Sequence, residues 1–359
     1  MPKQDSIPKI VVITDSTKTT GLGRYANTLS VSLGAHLISL RKDKTKLKYK
    51  FNGTVIDGRF SPFLKSGWYL NQFYPSIFMT RFKKYISANV GPQDIMHYSS
   101  QNLMPMKNEC KKVVTIHDLF AINLKYNHNR ALAKAVKKSL SQTKLFDNVI
   151  TDSDHVKRQL IDEGFTSDVE TIYPPIDRAF RLLPNKDIIR KALNLPVDKK
   201  LILSVTSNEP RKNLQTLKPT LEILGKEYAL VRVGDAIGEC INFKDIDDEK
   251  LNLIYNACDV LPFPSLDEGF GLPVAEAMSV GLPVVASDIE ICREIAGDAA
   301  VYSEPVPIQL ANAVRETINS KESIINKGFL IAKKYDFEGF KKKIKTYYKV
   351  KFGMPMDSS

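Results

Sequence analysis

The sequence lacks any apolar run of about 18 residues, the length that a transmembrane helix needs, so no membrane-spanning segment is expected. Its first ten residues, MPKQDSIPKI, contain no apolar core of a signal peptide. Its four cysteines lie far apart and match no metal-ligand spacing, which favours reduced thiols in a cytoplasmic protein. What is present is an ordinary globular composition, with 43% hydrophobic and 26% charged residues, and a length of 359 residues that predicts two domains.

The net charge of +12 is concentrated in the first half of the chain. Residues 1–180 contain 27 Lys or Arg against 15 Asp or Glu, residues 181–334 contain 19 against 22, and residues 335–359 contain 6 against 3. Such asymmetry is typical of a surface that meets an anionic membrane or phosphate, although a solvated basic surface has the same composition. The chain shows no RNA-binding pattern of aromatic and basic residues, so nucleic acid is not expected as a partner.

The first half alternates β-branched runs with helical patterns, which predicts a parallel sheet. A strand is predicted at Lys9–Asp15, a glycine-rich turn at Thr19–Arg24 and a helix at Tyr25–Leu33. This order opens a doubly wound α/β domain, but Ala26 stands where the dinucleotide fingerprint needs its third glycine, which disfavours an NAD-dependent oxidoreductase. Further predicted segments are a basic loop at Arg41–Lys50, an aromatic segment at Gly67–Ile86 that packs in the core or faces lipid, and a helix at Asn129–Gln142.

Two histidines lie near the ends of predicted strands. The strands are expected at Asp94–Tyr98 and Val113–Asp118, and they contain His97 and His117. Because ligands of open α/β sheets bind beyond the carboxyl ends of strands, both histidines are candidate ligand contacts. Either could also be a buried structural histidine; the sequence favours function for His117 and is neutral for His97.

The pattern restarts after Tyr173–Pro184, a proline-rich and aperiodic segment that predicts a linker. A second array of strands and helices begins with a strand at Leu201–Val205. The predicted fold is therefore α/β, with two Rossmann-like doubly wound domains that face each other across a cleft. The first is expected over residues 1–178, joined by a helix over residues 335–355, and the second over residues 185–334.

The stretch Pro264–Ser287 reads PSLDEGFGLPVAEAMSVGLPVVAS and carries two glutamates, Glu268 and Glu276. Pro273 suits the first helical position, which would place Glu276 in the first turn, where the helix dipole favours an anion. The glycines between the glutamates let a ligand approach backbone N–H groups. Carboxylates accept hydrogen bonds from hydroxyls, so the stretch is typical of a site for a polyhydroxylated ligand that carries phosphate.

This stretch resembles the E-x7-E region of retaining glycosyltransferases of family 4, which have the GT-B fold. Other segments match the family in the expected order: GLGRYANTL near the start, DIMH, VTIHD, ITDS, EPRKN after the first strand of the second array, and NACDVLPFPS just before Glu268. The resemblance spans nearly the whole chain. Within the family, GLGRYANTL resembles the mannosyltransferase-like members.

The resemblance implies a role for each matching residue. Glu276 would hold the ribose hydroxyls of a nucleotide sugar, and Glu268 would lie near the transferred sugar. Arg211 and Lys212 would stabilise the departing diphosphate, and His117 would contact the donor sugar. His117, Arg211, Lys212 and Glu268 are thus the expected catalytic residues. The other expected substrate contacts are Gly21, Gly23 and the backbone N–H groups of Phe270, Gly271 and Leu272.

The implied reaction transfers a hexose from a nucleotide-diphosphate sugar to a lipid-linked or glycan acceptor, with retention of anomeric configuration. No cofactor and no metal are expected; GDP-mannose is the first expected donor and a UDP-sugar the other. The D-x-D sequences at Asp152–Asp154 and Asp245–Asp247 resemble the metal motif of another glycosyltransferase fold, but neither lies among other hard ligands. The expected setting is cytoplasmic, peripheral on the inner face of an anionic membrane.

Two other functions are compatible with the same residues. A nucleotide-sugar epimerase of the GT-B fold would isomerise the donor without an acceptor, which product analysis detects. A non-catalytic carbohydrate- or nucleic-acid-binding protein would show no turnover, and a nucleic-acid binder would show no thermal shift with nucleotide sugars.

Overall fold

The computed structural model describes residues 8–14, 16, 20–43, 46–51, 54–59, 86, 88–101, 103, 108–120, 122, 146–165 and 168–355. The chain divides into two compact units: unit 1 is Met1–Tyr173 with Phe340–Ser359, and unit 2 is Pro174–Gly339. Both units are α/β, as the sequence predicts. The segment Asn129–Gln142 and nearly all of Gly67–Ile86 lie outside the described residues, so their predictions stay untested.

Unit 1 is built on an eight-stranded sheet. Its strands are β1 Ile10–Thr14, β2 His36–Asp43, β3 Lys46–Phe51, β4 Thr54–Arg59, β5 Ile95–Tyr98, β6 Lys111–Ile116, β7 Asn148–Thr151 and β8 Val169–Thr171. Their order is β4-β3-β2-β1-β5-β6-β7-β8; β3 is antiparallel to its neighbours and the other pairs are parallel. Ile10 and Val12 pack in one core and Val11 and Ile13 in another, so apolar clusters cover both faces of the sheet.

The edge of this sheet corrects one prediction. Arg41–Lys50 is not a basic loop, because β2 continues to Asp43 and pairs antiparallel with β3. The sequence KLKYKF of β3 alternates basic and apolar residues with the period of two that is typical of a strand. The prediction was wrong because it weighed the density of lysine above this alternation.

Two described helices of unit 1 begin at side-chain caps. Helix α1 (Gly21–Leu33) begins after Thr20, whose hydroxyl accepts from the Gly23 N–H over 3.1 Å, and ends at Gly34 in the left-handed conformation. Helix α2 (Asp154–Asp162) begins after Ser153, whose hydroxyl accepts from the Val156 N–H over 3.2 Å. These caps fix where each helix leaves its strand.

Unit 2 contains two three-stranded parallel sheets. Its elements are α3 Lys186–Ala192, β9 Lys200–Val205, 3-10 turns at Pro210–Lys212 and Leu214–Thr216, α4 Leu217–Leu224, β10 Tyr228–Val233, β11 Ile241–Phe243, α5 Asp248–Ala257, β12 Leu261–Phe263, α6 Leu272–Ser279, β13 Val284–Ser287, α7 Glu290–Ala296, β14 Val301–Ser303, α8 Pro307–Asn319, α9 Lys321–Ala332 and a 3-10 turn at Lys333–Tyr335. The strand orders are β11-β10-β9 and β12-β13-β14. A parallel bridge between Ile202 and Val260 joins the two sheets, so the loops after β9 and β12 leave at the same edge.

The last helix, α10 (Phe337–Phe352), packs into unit 1 through Phe340, Ile344, Tyr347 and Tyr348. The unit boundaries fall at residues 173/174 and 339/340, a few residues from the sequence estimate. One reason is that the Ile176 N–H donates to the Tyr335 carbonyl over 2.8 Å, which keeps both segments in unit 2. In the part of the chain that the structure describes, no helix combines the length and apolarity needed to cross a bilayer.

Candidate functional site

Two loops of unit 2 bring two cations onto one buried glutamate. Arg211 and Lys212 end the 3-10 turn that follows β9, and Glu268 lies in the loop after β12. Arg211 Nη1 donates to Glu268 Oε2 over 3.0 Å, and Lys212 Nζ lies 2.7 Å from each Glu268 oxygen. The structure thus brings three of the four expected catalytic residues together, at the strand edge where α/β sheets bind ligands.

This cluster is buried and joined through the backbone as well. Arg211 is 9% and Glu268 5% exposed, and the Leu266 N–H donates to the Arg211 carbonyl over 2.7 Å. Charges in such surroundings attract each other more strongly than at the surface, which holds the side chains in one geometry. The cluster therefore holds two cations in fixed positions, with a carboxylate between them.

A second carboxylate, Glu209, lies on the other side of Arg211. Its Oε2 accepts from Arg211 Nε over 2.8 Å, and its Oε1 accepts from the Ser207 hydroxyl over 2.7 Å. Burial by itself would raise the pKa of this carboxyl, but the charge of Arg211, the Ser207 bond and Lys212 hold the pKa below its ordinary 4.5. Two cations and two carboxylates make the cluster formally neutral.

Glu276 lies on α6, but not where the sequence placed it. The left-handed Gly271, with φ of 96°, caps the helix, so Leu272 is its first residue and Pro273 its second. Glu276 therefore lies in the second turn, and the expectation of a first-turn carboxylate was wrong. Its Oε2 accepts instead from the Tyr255 hydroxyl of α5 over 2.8 Å, and the glutamate is 2% exposed.

The remaining expected contacts of unit 2 precede the same helix. The Phe270 side chain is buried and packs edge-to-face on Tyr335, with ring centroids 5.2 Å apart. The Phe270 side chain is thus occupied by packing, and the expected contact of a ligand with the backbone here stays a prediction. The N–H of Leu272 belongs to the first turn of the helix, where the Val274 N–H already donates to the Gly271 carbonyl over 2.9 Å. Such a turn favours an anion.

His117 follows β6 in unit 1 and is buried between two acceptors. Its Nδ1 is 2.5 Å from Asp152 Oδ2, and its Nε2 is 2.6 Å from the Ser99 carbonyl oxygen. A carbonyl only accepts, so Nε2 carries a proton, and the carboxylate favours a second proton on Nδ1. Burial opposes the charged form, yet the Asp152 charge and these hydrogen bonds raise the pKa of His117 above 6.5. Its contact with a donor sugar stays a prediction.

His97 is a structural histidine. It is fully buried, with Nδ1 2.7 Å from the Tyr348 hydroxyl of α10 and Nε2 2.7 Å from the Thr115 hydroxyl. Burial, and secondarily the charge of His117, lowers the pKa of His97 to about 3, so the ring is neutral. It joins β5, β6 and α10.

Gly21 and Gly23 lie in the first turn of α1 rather than in the expected loop. Helix α1 begins at Gly21, four residues before the predicted start, because the Thr20 side chain supplies the cap. The Gly23 N–H is used by that cap. The expected approach of this segment to a substrate stays a prediction.

One aspartate of each D-x-D sequence binds a group of the protein itself. Asp152 binds His117, and Asp247 caps α5 by accepting from the Lys250 N–H over 2.8 Å. Within the described ranges, no group of three or more His, Cys, Asp or Glu side chains is placed to hold a metal ion.

Sequence reasoning did not find Tyr255 as a partner of Glu276 or Asp152 as a partner of His117. The two pairs are separated by 21 and 35 residues, so no local spacing signals either contact.

Two family models match the chain. The model described as Glycosyl transferases group 1 matches residues 185–328, and the model described as Glycosyltransferase Family 4 matches residues 20–180. Together these matches extend over most of both units.

Curated mannosyltransferases are among the similar proteins. The chain is 26% identical over 285 residues to O-antigen chain mannosyltransferase B of Escherichia coli, a match that covers 68% of this chain and 72% of that protein. It is 36% identical over 135 residues to the serotype-specific mannosyltransferase WbdA of Escherichia coli, which covers 32% of this chain and 17% of that protein.

Solved structures share the fold. Sucrose-phosphate synthase from Thermosynechococcus elongatus aligns with a TM-score of 0.76 at 18% identity, covering 96% of this chain and 99% of that chain. The Anabaena protein HepE, solved in complex with UDP and glucose, aligns with a TM-score of 0.71 at 15% identity, covering 95% and 100%. At such identities the likeness shows the fold alone, and it confirms the predicted GT-B type. With both family models matched in order on that fold, the chain belongs to glycosyltransferase family 4.

Proposed function

We propose that this glycosyltransferase moves a hexose, with mannose as the first candidate, from a nucleotide-diphosphate sugar to a lipid-linked or glycan acceptor with retention of anomeric configuration. The observation that carries the proposal is the buried contact of Arg211 and Lys212 with Glu268. A departing nucleoside diphosphate develops negative charge, and cations that are already held in place stabilise it without reorganisation.

The same pair supports transfer without a divalent metal. Arg211 and Lys212 supply two positive charges at the site where a metal ion would otherwise neutralise the diphosphate. Glu209 occupies one side of Arg211, and its side chain is 50% exposed. We infer that the diphosphate replaces Glu209 on Arg211, because an exposed carboxylate moves at low cost.

The two glutamates of the E-x7-E region then have separate tasks. Glu268 accepts from hydroxyls of the transferred sugar, and its charge stabilises the positive charge that grows at the anomeric carbon. Glu276 accepts from the ribose hydroxyls, with its carboxylate oriented by Tyr255. The oxygens of Glu268 already accept hydrogen bonds from Arg211 and Lys212, which makes the carboxylate a weak nucleophile, so covalent attack by Glu268 is not part of the proposal.

The donor and the setting follow from other observations. The names of the curated relatives favour mannose, and therefore GDP-mannose as the donor. A similar solved structure contains UDP and glucose, so a UDP-sugar is the second candidate donor. The basic first half of the chain supports an acceptor held at an anionic membrane surface, with the inner face as the proposed location.

A donor panel tests the proposal. GDP-mannose and UDP-sugars are incubated with extracts of lipid-linked acceptors, with and without EDTA. The nucleoside diphosphate that is released is measured, and the anomeric configuration of the product is determined by NMR. We expect diphosphate release that requires acceptor, persists in EDTA and gives a retained anomer. A product with inverted anomeric configuration contradicts retention, and loss of diphosphate release in EDTA contradicts metal independence. Isomerisation of the donor in the absence of an acceptor indicates the epimerase.

A further inference from the structure

Arg232 on β10 is fully buried in unit 2 and has no part in the proposed chemistry. It is the largest of the fully buried side chains among the described residues. An arginine stays charged inside proteins, so its burial is costly unless hydrogen bonds replace the lost water. The acceptors that stabilise it therefore indicate what this residue does.

These acceptors belong to the ends of β9 and β10. The six hydrogen bonds of the guanidinium go to the carbonyls of Ser204, Thr206, Val233 and Asp235, the Ser204 hydroxyl and the Asn208 side-chain oxygen, over 2.5 to 3.4 Å. In the described part of the chain none goes to a carboxylate; that of Asp235 binds Lys244 instead. Arg232 therefore organises backbone rather than pairing with an acid.

Gly234 shows independently how tightly these two strand ends approach each other. It has φ of 132°, and a Cβ built on it would lie 2.7 Å from the Thr206 carbonyl oxygen and 2.9 Å from Arg232 Nη2. No side chain fits there while Arg232 holds the loop. Gly234 thus leaves the space that Arg232 needs to bind the loop after β9.

The loop that Arg232 holds leads directly to the basic pair. Ser207–Pro210 is exposed, so burial of its own side chains does little to order it. Arg232 binds it at Thr206 and Asn208, and at its far end Asn213 Nδ2 donates to the Pro305 carbonyl over 2.9 Å. Arg211 and Lys212 lie between these two anchors.

We propose that Arg232 is a positioning residue, which binds the loop after β9 and thereby holds Arg211 and Lys212 where the diphosphate of a nucleotide sugar binds. The ligand in this statement rests on the proposed function. The effect of Arg232 on the loop does not, and it can be measured without any ligand.

Three variants separate positioning from stability. Arg232→Met removes the hydrogen-bond donors. Gly234→Ala pushes the same loop away while Arg232 is kept, so this second variant still tests the proposal if Arg232→Met does not fold. Arg190→Met is the matched control, because Arg190 is another buried arginine of unit 2 but binds Asp259 and the carbonyls of Ala257 and Lys199. Hydrogen exchange of the Thr206–Lys212 amides, affinity for GDP and UDP, and KM and kcat with the donor are measured for each.

We expect Arg232→Met and Gly234→Ala to accelerate exchange over Thr206–Lys212. Their nucleoside diphosphate affinity should fall, and their KM for the donor should rise, by about tenfold or more, because a small misplacement of positioned groups is costly. Arg190→Met should lower thermal stability while loop exchange and KM stay as in the wild type.

A purely structural role gives another pattern. Loss of folded protein lowers kcat, while the KM and the loop exchange of both test variants stay like those of Arg190→Met; that result overturns the proposal. If the wild type binds neither GDP nor UDP, the proposed function fails, and unchanged loop exchange in the variants still decides against the role of Arg232.

Discussion

At the residue scale, the Tyr255 hydroxyl donates to Glu276 between two almost fully buried side chains. Tyr255→Phe removes this hydrogen bond and keeps the ring against Phe180. We expect a loss of about 1–3 kcal/mol in the free energy of unfolding, since the buried Glu276 carboxylate loses the Tyr255 donor. KM for the donor should rise, because the carboxylate is no longer oriented; steady-state kinetics and denaturant unfolding measure the two effects.

Tyr302→Phe is the control for that prediction. The Tyr302 hydroxyl donates to the Gly297 carbonyl over 2.6 Å in the same unit, and that hydrogen bond does not involve Glu276. Its loss should leave KM for the donor unchanged. An unchanged KM in Tyr255→Phe as well would show that Glu276 does not depend on Tyr255.

The two buried histidines of unit 1, His97 and His117, make the stability of the protein depend on pH in opposite directions. The pKa of His117 is raised above 6.5, so its contribution to stability is present below pH 6.5 and is lost as pH rises through the folded-state pKa. The pKa of His97 is lowered to about 3, so the folded protein keeps this ring neutral while the unfolded chain binds a proton below pH 6.5. The free energy of unfolding therefore falls as the pH drops below 6.5.

Asp152→Asn tests the first of these effects. Without the carboxylate the pKa of His117 should fall, and the stabilisation below 6.5 is lost. The difference in the free energy of unfolding between wild type and variant should therefore be larger at about pH 6 than at about pH 9, as measured by denaturant titration. A difference that stays constant with pH would mean that Asp152 does not hold a proton on His117.

At the element scale, the start of α6 depends on the left-handed conformation of Gly271. Gly271→Ala should lower the free energy of unfolding by about 1–2 kcal/mol through backbone strain alone, because the nearest atom to a new Cβ, on Phe263, is 3.8 Å away. Affinity for GDP or UDP should fall too, since the first turn of the helix shifts. Calorimetry of binding and thermal unfolding check both effects.

Gly34→Ala is the matched change. Gly34 has φ of 60° at the end of α1 with nothing within 4 Å of a new Cβ, and it lies in unit 1. Stability should fall by a similar amount with no change in nucleotide affinity. Equal nucleotide affinities of the two variants would contradict a role for the α6 terminus.

The sequence predicted elements well where the local pattern decides the structure. The β-branched runs predicted β1 to within one residue and β6 to within two residues at each end, because buried parallel strands need such side chains. The starts of α1 and α6 were misplaced because caps at Thr20 and Gly271 decide them, rather than the first residue with helical spacing. Strand β3 and its pairing with β2 were missed because lysine dominated an alternating pattern.

In the candidate site, too, the residues of local motifs were predicted and their partners from other elements were not. Arg211, Lys212 and Glu268 were named from motifs that resemble a family, and the structure brings them together. The partners that orient the site, Tyr255 and Arg232, come from other elements through tertiary packing. No spacing in the chain signals them.

At the scale of the whole molecule, the basic first half predicts attraction to anionic lipid, and α10 adds exposed lysines such as Lys342 and Lys349. Liposome flotation should show stronger partition to anionic than to neutral vesicles, and the difference should shrink with added salt. The charge reversal Lys342→Glu with Lys349→Glu should weaken it. Equal partition to both vesicle types would contradict this interpretation.

If the cations on Glu268 drive departure of the diphosphate, the kcat/KM of transfer by Lys212→Ala should show it most directly. The control is Lys186→Ala, since Lys186 binds Asp259 and the Cys258 carbonyl elsewhere in unit 2. We predict that Lys212→Ala loses about 100-fold or more in kcat/KM while its fold survives, and that Lys186→Ala stays near the wild type. Undiminished transfer by Lys212→Ala would contradict the role of this cation in departure of the diphosphate.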